Sequence, residues 1–224
     1  MNILVQYPSR SRPDRFFDGM DSIWNNAMNP DNIWVNVVID WDDESMISQI
    51  KRIGSYKNTA INVGTSTSKI EAINRAIPED GWDILVVMSD DMRFNFSGWD
   101  ALIVANMEQY FPDTDGMLGY YDPDTMGQLN TMYVAGRAYY QRRGHVYHPS
   151  YKSLFCDNEE MEVAQKLGKY YDCGIQIANH LNPAYGHLAK DEMFERQQEI
   201  GWSEDQRNYN ERKAMGFYIN ASNS

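Results

Sequence analysis

Apolar residues in this chain come in short runs divided by polar turns, and the runs alternate between two periodicities. The stretches 3–7, 33–39, 60–63 and 84–88 are short apolar runs that read as strands, and the unbroken run at 84–88 is the pattern of a strand covered on both faces. Between them apolar residues return at helical spacing. Phe17, Met20, Ile23 and Trp24 do so within 16–26, a shorter helix is expected at 46–53, and Ile70, Ile73 and Ile77 mark 66–76 until Pro78 stops it. This alternation predicts a parallel, three-layered α/β core with right-handed crossovers. Beyond residue 92 the rhythm loosens. Helices are expected at 99–110, 158–167 (closed by Gly168), 190–200 and 204–215, and strands at 116–121, 131–135 and 174–178. No internal repeat, linker or low-complexity tract interrupts the chain.

The ends of the predicted strands carry the chemistry. The run Ile84-Leu85-Val86-Val87-Met88 stops at Ser89-Asp90-Asp91. Adjacent carboxylates repel unless a cation or donor lies between them. At the strand ends of an open parallel sheet, where ligands bind, they suit a hard divalent metal that also grips a diphosphate. Asp40 follows the second strand, Asp157 precedes a helix, and His180 follows the segment 175–178. A lone strand-end Asp is more often a helix cap or turn former, and a lone His reads equally as a satisfied, partly buried imidazole. The four in this order carry more weight together.

Composition narrows the classes. An apolar share of 42 % over 224 residues supports one substantial core. The 15 Tyr and 6 Trp can line a sugar or base pocket or simply pack. A net charge of −12 argues against tight, sequence-independent binding to DNA or an anionic membrane, since that requires Lys and Arg. Local basic pockets remain open, from Arg10, Arg12 and Arg15 or from Arg137, Arg142 and Arg143. Cys156 and Cys173 lack a CxxC spacing and read as reduced thiols of a cytoplasmic protein. Residues 1–5 read as a first strand and not a secretory leader. No run approaches the roughly 18 apolar residues of a membrane helix.

On these segments the chain resembles the GT-A fold glycosyltransferases, close to the family-2-like inverting, metal-dependent enzymes. The stretch Tyr7-Pro8-Ser9-Arg10-Ser11-Arg12-Pro13 resembles the loop that wraps the nucleotide base. Val38-Ile39-Asp40-Trp41-Asp42-Asp43 resembles the second-strand acidic loop, and Lys69-Ile70-Glu71-Ala72-Ile73-Asn74 the helix beside the nucleotide. Ser89-Asp90-Asp91 resembles the DxD metal motif, Asp157-Asn158-Glu159-Glu160 the acidic motif of the acceptor-side helix, and His180 or His187 the late metal-shell histidine. The resemblance implies an α/β sandwich of GT-A type with a mostly parallel sheet, in one domain with a nucleotide-sugar half at 1–92, an acceptor half at 93–200 and a C-terminal helix or flap at 201–224. It implies transfer of a sugar, UDP linkage being the family's commonest, to a hydroxyl of a glycan, protein or modified nucleobase, assisted by Mn²⁺ or Mg²⁺. Donor contacts would come from Pro8, Ser9, Arg10, Arg12, Asp40, Lys69, Asn74, Ser89 and Asp90. Asp91 would ligate the metal with His180 or His187, and Asp157 or Glu160 would be the base.

The chain departs from the family pattern in places. Ser89 stands where the DxD triplet begins, Cys156 replaces a frequent Glu, and Ala164-Gln165-Lys166 lacks the usual helical Arg. These departures keep a non-catalytic nucleotide-sugar or partner-binding module as an alternative, beside a DNA-modifying phage glycosyltransferase. A nucleotidyltransferase is disfavoured because 8–13 holds no glycine-rich phosphate loop. Further expectations are Tyr120-Tyr121 or Tyr139-Tyr140 as sugar platforms or packing, Trp99 near donor or acceptor, and His145 with His148 as a loop pair or metal pair.

Overall fold

A computed structural model describes residues 1–219, without the side chains of 193, 196, 197 and 200. The last part of the expected 201–224 segment therefore lies outside the described residues. The first half alternates as the hydrophobic pattern requires: β1 (Ile3–Pro8), α1 (Pro13–Asn25), β2 (Ile33–Asp40), α2 (Glu44–Ile47), α3 (Ile50–Ile53), β3 (Thr59–Gly64), α4 (Lys69–Asn74) and β4 (Ile84–Val87). The second half adds β5 (Met92–Phe94), α5 (Trp99–Tyr110), β6 (Met117–Gly119), β7 (Val134–Gly136), α6 (Arg137–Arg143), α7 (Cys156–Lys166), β8 (Tyr170–Asp172), β9 (Ala178–His180), α8 (Glu192–Ile200) and α9 (Gln206–Ala214).

Seven strands form one sheet in the order β3-β2-β1-β4-β7-β6-β8. The pairs β3–β2, β2–β1, β1–β4 and β6–β8 are parallel, whereas β7 runs antiparallel to both of its neighbours. Strand alternation sorts the core into two layers. Ile3, Val5 and Tyr7 face α1 and α5, packing with Phe16, Met20, Trp99 and Ile103. Leu4, Leu85 and Val87 face the opposite layer, with Ile70 and Ile73 of α4, Tyr139 of α6 and Ala164 of α7. Helices thus cover both faces, giving an α/β/α sandwich with a mostly parallel sheet. Gln6 sits on the second face at the centre of the sheet. It is satisfied by donating to Ile73 O (3.0 Å) and Arg75 O (2.9 Å) and by accepting from Asn36 (2.7 Å).

The sheet order matters for function. Connections from β1 lead to β2 on one side, while β4 lies on the other, so the carboxyl ends of β1 and β4 flank a crevice at a topological switch point. Pro8-Ser9 and Ser89-Asp90-Asp91 emerge there.

Several expected elements differ from those observed. The helix at 46–53 is two short turns, α2 and α3, and 66–76 contracts to α4. Ser68 caps α4 by accepting from Glu71 N, and Ala76 beyond its end has φ +59°, which breaks the helix. No strand forms across 174–178, because Gly174 has φ +64° and its N–H donates to Asp172 Oδ1 (2.9 Å), turning the chain between β8 and β9. The strands β5 and β8 and the helix α6 were not anticipated. The final helix begins later than 204, after a π-helical turn at Gly201–Asp205. No described helix is long and apolar enough to cross a membrane.

Candidate active site

Two adjoining cavities lie over the carboxyl edge of the sheet. The larger, about 410 Å³, is bounded by Ser9, Arg10, Asp40, Lys69, Asp90 and Lys152 among others. The smaller, about 140 Å³, is bounded by Asp91, Asp157, His180, Asn182, Phe194 and Gln198 among others. Pro8, Lys69 and Ser153 line both, so the two are continuous.

The larger cavity is built by the loop after β1 folding over the end of β2. Ser9 N donates to Val38 O (3.0 Å), and Ser11 N donates to Asp43 Oδ2 (2.7 Å). Arg10 grips Asp42 through two bonds of 2.7 Å and reaches Asp40 at 3.0 Å. Arg12 is held by a bidentate pair with Asp191 (2.6 and 2.8 Å). Lys69, in the first turn of α4, makes no ion pair among the described residues and points its charge at both cavities.

The neighbouring carboxylates after β4 part company. Asp90 lines the larger cavity and Asp91 the smaller. Burial pushes Asp90 up to about 7, against the pull of Ser9 and Arg12. Burial also opposes charge on Asp91, yet His180, Lys69 and the Ser89 hydroxyl outweigh it and hold that carboxyl well below the usual range. Ser89 donates to Asp91 Oδ1.

A two-stranded ribbon delivers the histidine. β5 pairs antiparallel with β9 so that Met92 lies opposite His180, and Leu181 N donates to Asp91 O (2.6 Å). This register sets His180 Nε2 3.6 Å from Asp91 Oδ2, while its Nδ1 lies 2.9 Å from Asp122 Oδ2. Asp122 is itself buried and accepts from Thr131 Oγ1 (2.6 Å). Burial disfavours the imidazolium, but the carboxylates on either side raise His180 to about 9. In the same cleft, Asp157 occupies the first turn of α7. Burial raises its pKa against the pull of Asn158 N, Lys69 and His180. Its Oδ1 accepts from Asn158 N (3.0 Å).

The structure brings Pro8, Ser9, Arg10, Arg12, Asp40, Lys69, Ser89, Asp90, Asp91, Asp157 and His180 to these two cavities. It places three expected residues elsewhere. Glu160 is turned into the core, where it accepts from Tyr139 (2.8 Å) and pairs with Arg143 (3.1 Å), because the α7 face one turn beyond Asp157 packs towards α6. Asn74 is consumed in tying α4 to the loop at 146–147, accepting from Val146 N (2.9 Å) and donating to Tyr147 O (2.7 Å). His187 sits on Asp124 (2.8 Å) and does not line the cleft. Trp99 is fully buried, stacked on Phe94 with centroids 3.8 Å apart, and Tyr120 and Tyr139 are likewise core residues. Asp122, Lys152 and Ser153 were missed. Asp122 adjoins a tyrosine pair that reads as packing, and nothing local distinguishes it from a turn-forming Asp.

No protein-family model matches the sequence, and no curated protein sequence matches it. Solved structures do match in three dimensions. A mannosyltransferase from Pyrobaculum calidifontis, in complex with GDP-Man and Mn²⁺, superposes with TM-score 0.69 at 14 % identity, over 83 % of this chain and 58 % of that one. Residues 1–349 of S. aureus TarS match with TM-score 0.64 at 11 % identity, over 99 % of this chain and 75 % of that one. Glucosyl-3-phosphoglycerate synthase from Mycobacterium tuberculosis, with Mn²⁺, UDP and phosphoglyceric acid, gives TM-score 0.53 at 13 % identity, over 81 % and 71 %. This chain therefore spans little more than half the length of the mannosyltransferase. The architecture is the GT-A fold, and these structural neighbours are nucleotide-sugar glycosyltransferases.

Proposed function

We propose that this protein transfers a sugar from a nucleotide-sugar donor to an acceptor hydroxyl with inversion at the anomeric carbon. One observation carries the reading: Asp91 with His180, and Asp157, line a single cleft that opens through Pro8, Lys69 and Ser153 into the larger cavity. In this reading the larger cavity holds the nucleotide. Ser9, Arg10 and Asp40 supply hydrogen-bond partners for base and ribose, and Asp90 stands beside the ribose. The neighbours' UDP and GDP-Man support a nucleoside diphosphate leaving group, with UDP the first to test.

Lys69 spans the junction of the cavities, where its ammonium would neutralise charge appearing on the departing diphosphate. Asp157 lies in the adjoining cleft. With a raised pKa it can accept the acceptor's proton as the oxygen attacks. One base and one displacement invert the anomeric centre.

The donor set also fits a divalent cation. Among the described residues no group of three His, Cys, Asp or Glu side chains could hold a metal unaided. Asp91 and His180 are two oxygen and nitrogen donors with a buried carboxylate, Asp122, fixing the far ring nitrogen, the arrangement that orients metal-binding imidazoles. They would hold Mn²⁺ or Mg²⁺ together with diphosphate oxygens and water. When bound, such an ion acts as a Lewis acid on the leaving group. The acceptor, whether glycan, protein or modified nucleobase, would occupy the smaller cavity beside Asp157, which Phe194 and Gln198 also line.

The test is release of nucleoside diphosphate from a panel of sugar nucleotides with Mn²⁺. Wild-type turnover that Asp91→Asn abolishes while circular dichroism and thermal unfolding stay native is the expected result. Binding of nucleotide sugars with no turnover over a broad acceptor panel would sink it in favour of a non-catalytic module.

A further inference from the structure

The loop that leads into α7 is gripped from behind by the C-terminal segment. Three successive backbone N–H groups, those of Lys152, Ser153 and Leu154, donate to the Asp205 carboxylate at 2.9, 2.7 and 2.8 Å. Asp205 is 1 % exposed and lines neither cavity. Three convergent amides form a concave anion seat, filled here by a side chain of the same chain. The contact is reinforced on each side. Gly201 lies so close to Leu154 that an added Cβ would stand 2.4 Å from its side chain. Trp202 meets Phe155 edge-on with centroids 5.4 Å apart, and Lys152 pairs with Glu204 at 2.7 Å.

The gripped loop runs directly into the proposed base. Phe155, immediately after the seat, has φ +63°, a left-handed conformation that a non-glycine residue keeps only when its surroundings enforce it. Cys156 then opens α7 and Asp157 faces the cleft. Ser153 lines both cavities and Leu154 the cleft, so the gripped residues are also walls of the site. The π-helical turn at Gly201–Asp205 is the irregularity that turns Asp205 inward, and π-type insertions in helices often mark functional positions.

We infer that Asp205 is a positioning residue: by filling the three-amide seat it fixes the strained Phe155 and thereby the place of Asp157 in the cleft. This inference rests on the transferase reading above. It assigns Asp205 no contact with substrate. Losing the grip should misplace the base far more than the donor, whose other partners lie on the loops after β1, β2 and β4 and in the first turn of α4.

The experiment compares full-length wild type, Asp205→Ala and Asp205→Asn. Misplacement of a reacting group by about 1 Å can cost roughly 10²-fold, so Asp205→Ala is expected to lower kcat by about that factor while the donor KM moves less than about threefold. Formate should refill the vacated seat and restore kcat about tenfold or more, and chloride at the same ionic strength should not. Asp205→Asn keeps the seat filled: its oxygen can still accept from Ser153 N and Leu154 N while its NH2 faces the Lys152 N–H, so formate finds no vacancy and should leave its kcat unmoved. Hydrogen exchange across 152–160, measured in parallel, should quicken in Asp205→Ala and slow again with formate. A kcat within about threefold of wild type in Asp205→Ala overturns the inference, since the misplacement it requires costs much more. So does a loss of kcat that tracks loss of folded protein and is unmoved by formate. Absence of wild-type turnover sinks the transferase reading instead, and formate-dependent exchange protection then reports separately on the grip.

Discussion

At the scale of single residues, the site divides carboxylates that stand close together in the sequence. Asp90 and Asp91 are neighbours, yet one is pushed up to about 7 by burial and the other is held far below by His180, Lys69 and Ser89. Asp157 and Glu160 sit one helical turn apart, but the first opens on the cleft and the second is buried against Arg143 and Tyr139. Removing each charge should have a different consequence. Asp157→Asn should lower kcat by about 10²–10⁴-fold with little effect on unfolding, as expected for loss of a general base. Glu160→Gln should leave a folded enzyme with near-normal kcat but lower its stability by about 3 kcal/mol, because Arg143 is left buried without a counter-charge. Steady-state kinetics and urea unfolding of the two variants check both expectations. Equal loss of kcat in Glu160→Gln at full folding would move the base to Glu160.

At the scale of elements, the β5–β9 ribbon converts a distant histidine into a partner of the strand-end acid. Its register, Met92 opposite His180, is what sets the imidazole 3.6 Å from Asp91. Asp122 then fixes the ring from its far side. Partners of this kind contribute about 10–100-fold to metal affinity. Asp122→Ala is accordingly expected to raise the Mn²⁺ concentration for half-maximal turnover by about that factor, with kcat at saturating metal less affected. A titration of turnover against Mn²⁺ reads it directly, and an unchanged midpoint would remove Asp122 from the metal shell. His187, which the sequence offered as an alternative, belongs to Asp124 on the exposed side of the same turn.

At the scale of the whole molecule, the second core layer carries a charged cluster that links α6, α7 and α9. Arg143 pairs with Glu160 and Arg212 with Glu159, both acids being buried. His145 lies beside this cluster with its Nε2 buried and without a hydrogen-bond partner among the described residues. Burial, with Arg143 and His148 adding repulsion, pushes its pKa from 6.5 down to about 4. The folded state therefore resists a proton that the unfolded chain accepts. Its contribution is complete above pH 6.5, is lost as pH falls towards 4, and changes no further below that. Between pH 7 and 4.5, wild type should lose more stability than His145→Gln, by at most about 3 kcal/mol. Urea midpoints of the two proteins across that range give the difference, in which the carboxylates common to both cancel. Parallel curves would show that His145 is not the responsible group.

Much of this was legible from local pattern. Short apolar runs identified β1, β2, β3 and β4; β4 is apolar and buried at every position, as a strand covered on both faces requires, whereas β3 at the sheet's edge is only half-buried. Helical spacing located α1, α5 and α7. Acids at strand ends pointed to the cleft because a parallel sheet exposes its carboxyl edge at the switch point. Where the chain leaves this regular pattern, the reading failed: β5, β8 and α6 were missed, and 174–178 was misread as a strand. Periodicity alone does not report a ribbon formed with a distant partner, nor a turn set by Asp172 and Gly174. By itself, then, the sequence determined the layered α/β sandwich and the acidic edge, because both follow from burial and spacing along neighbouring residues. Tertiary structure alone decided that Asp91 meets His180, that Asp157 and not Glu160 faces the cleft, and that Asp205 seats itself behind the α7 loop. Those choices depend on which way a side chain turns when remote segments pack, and no local period encodes that.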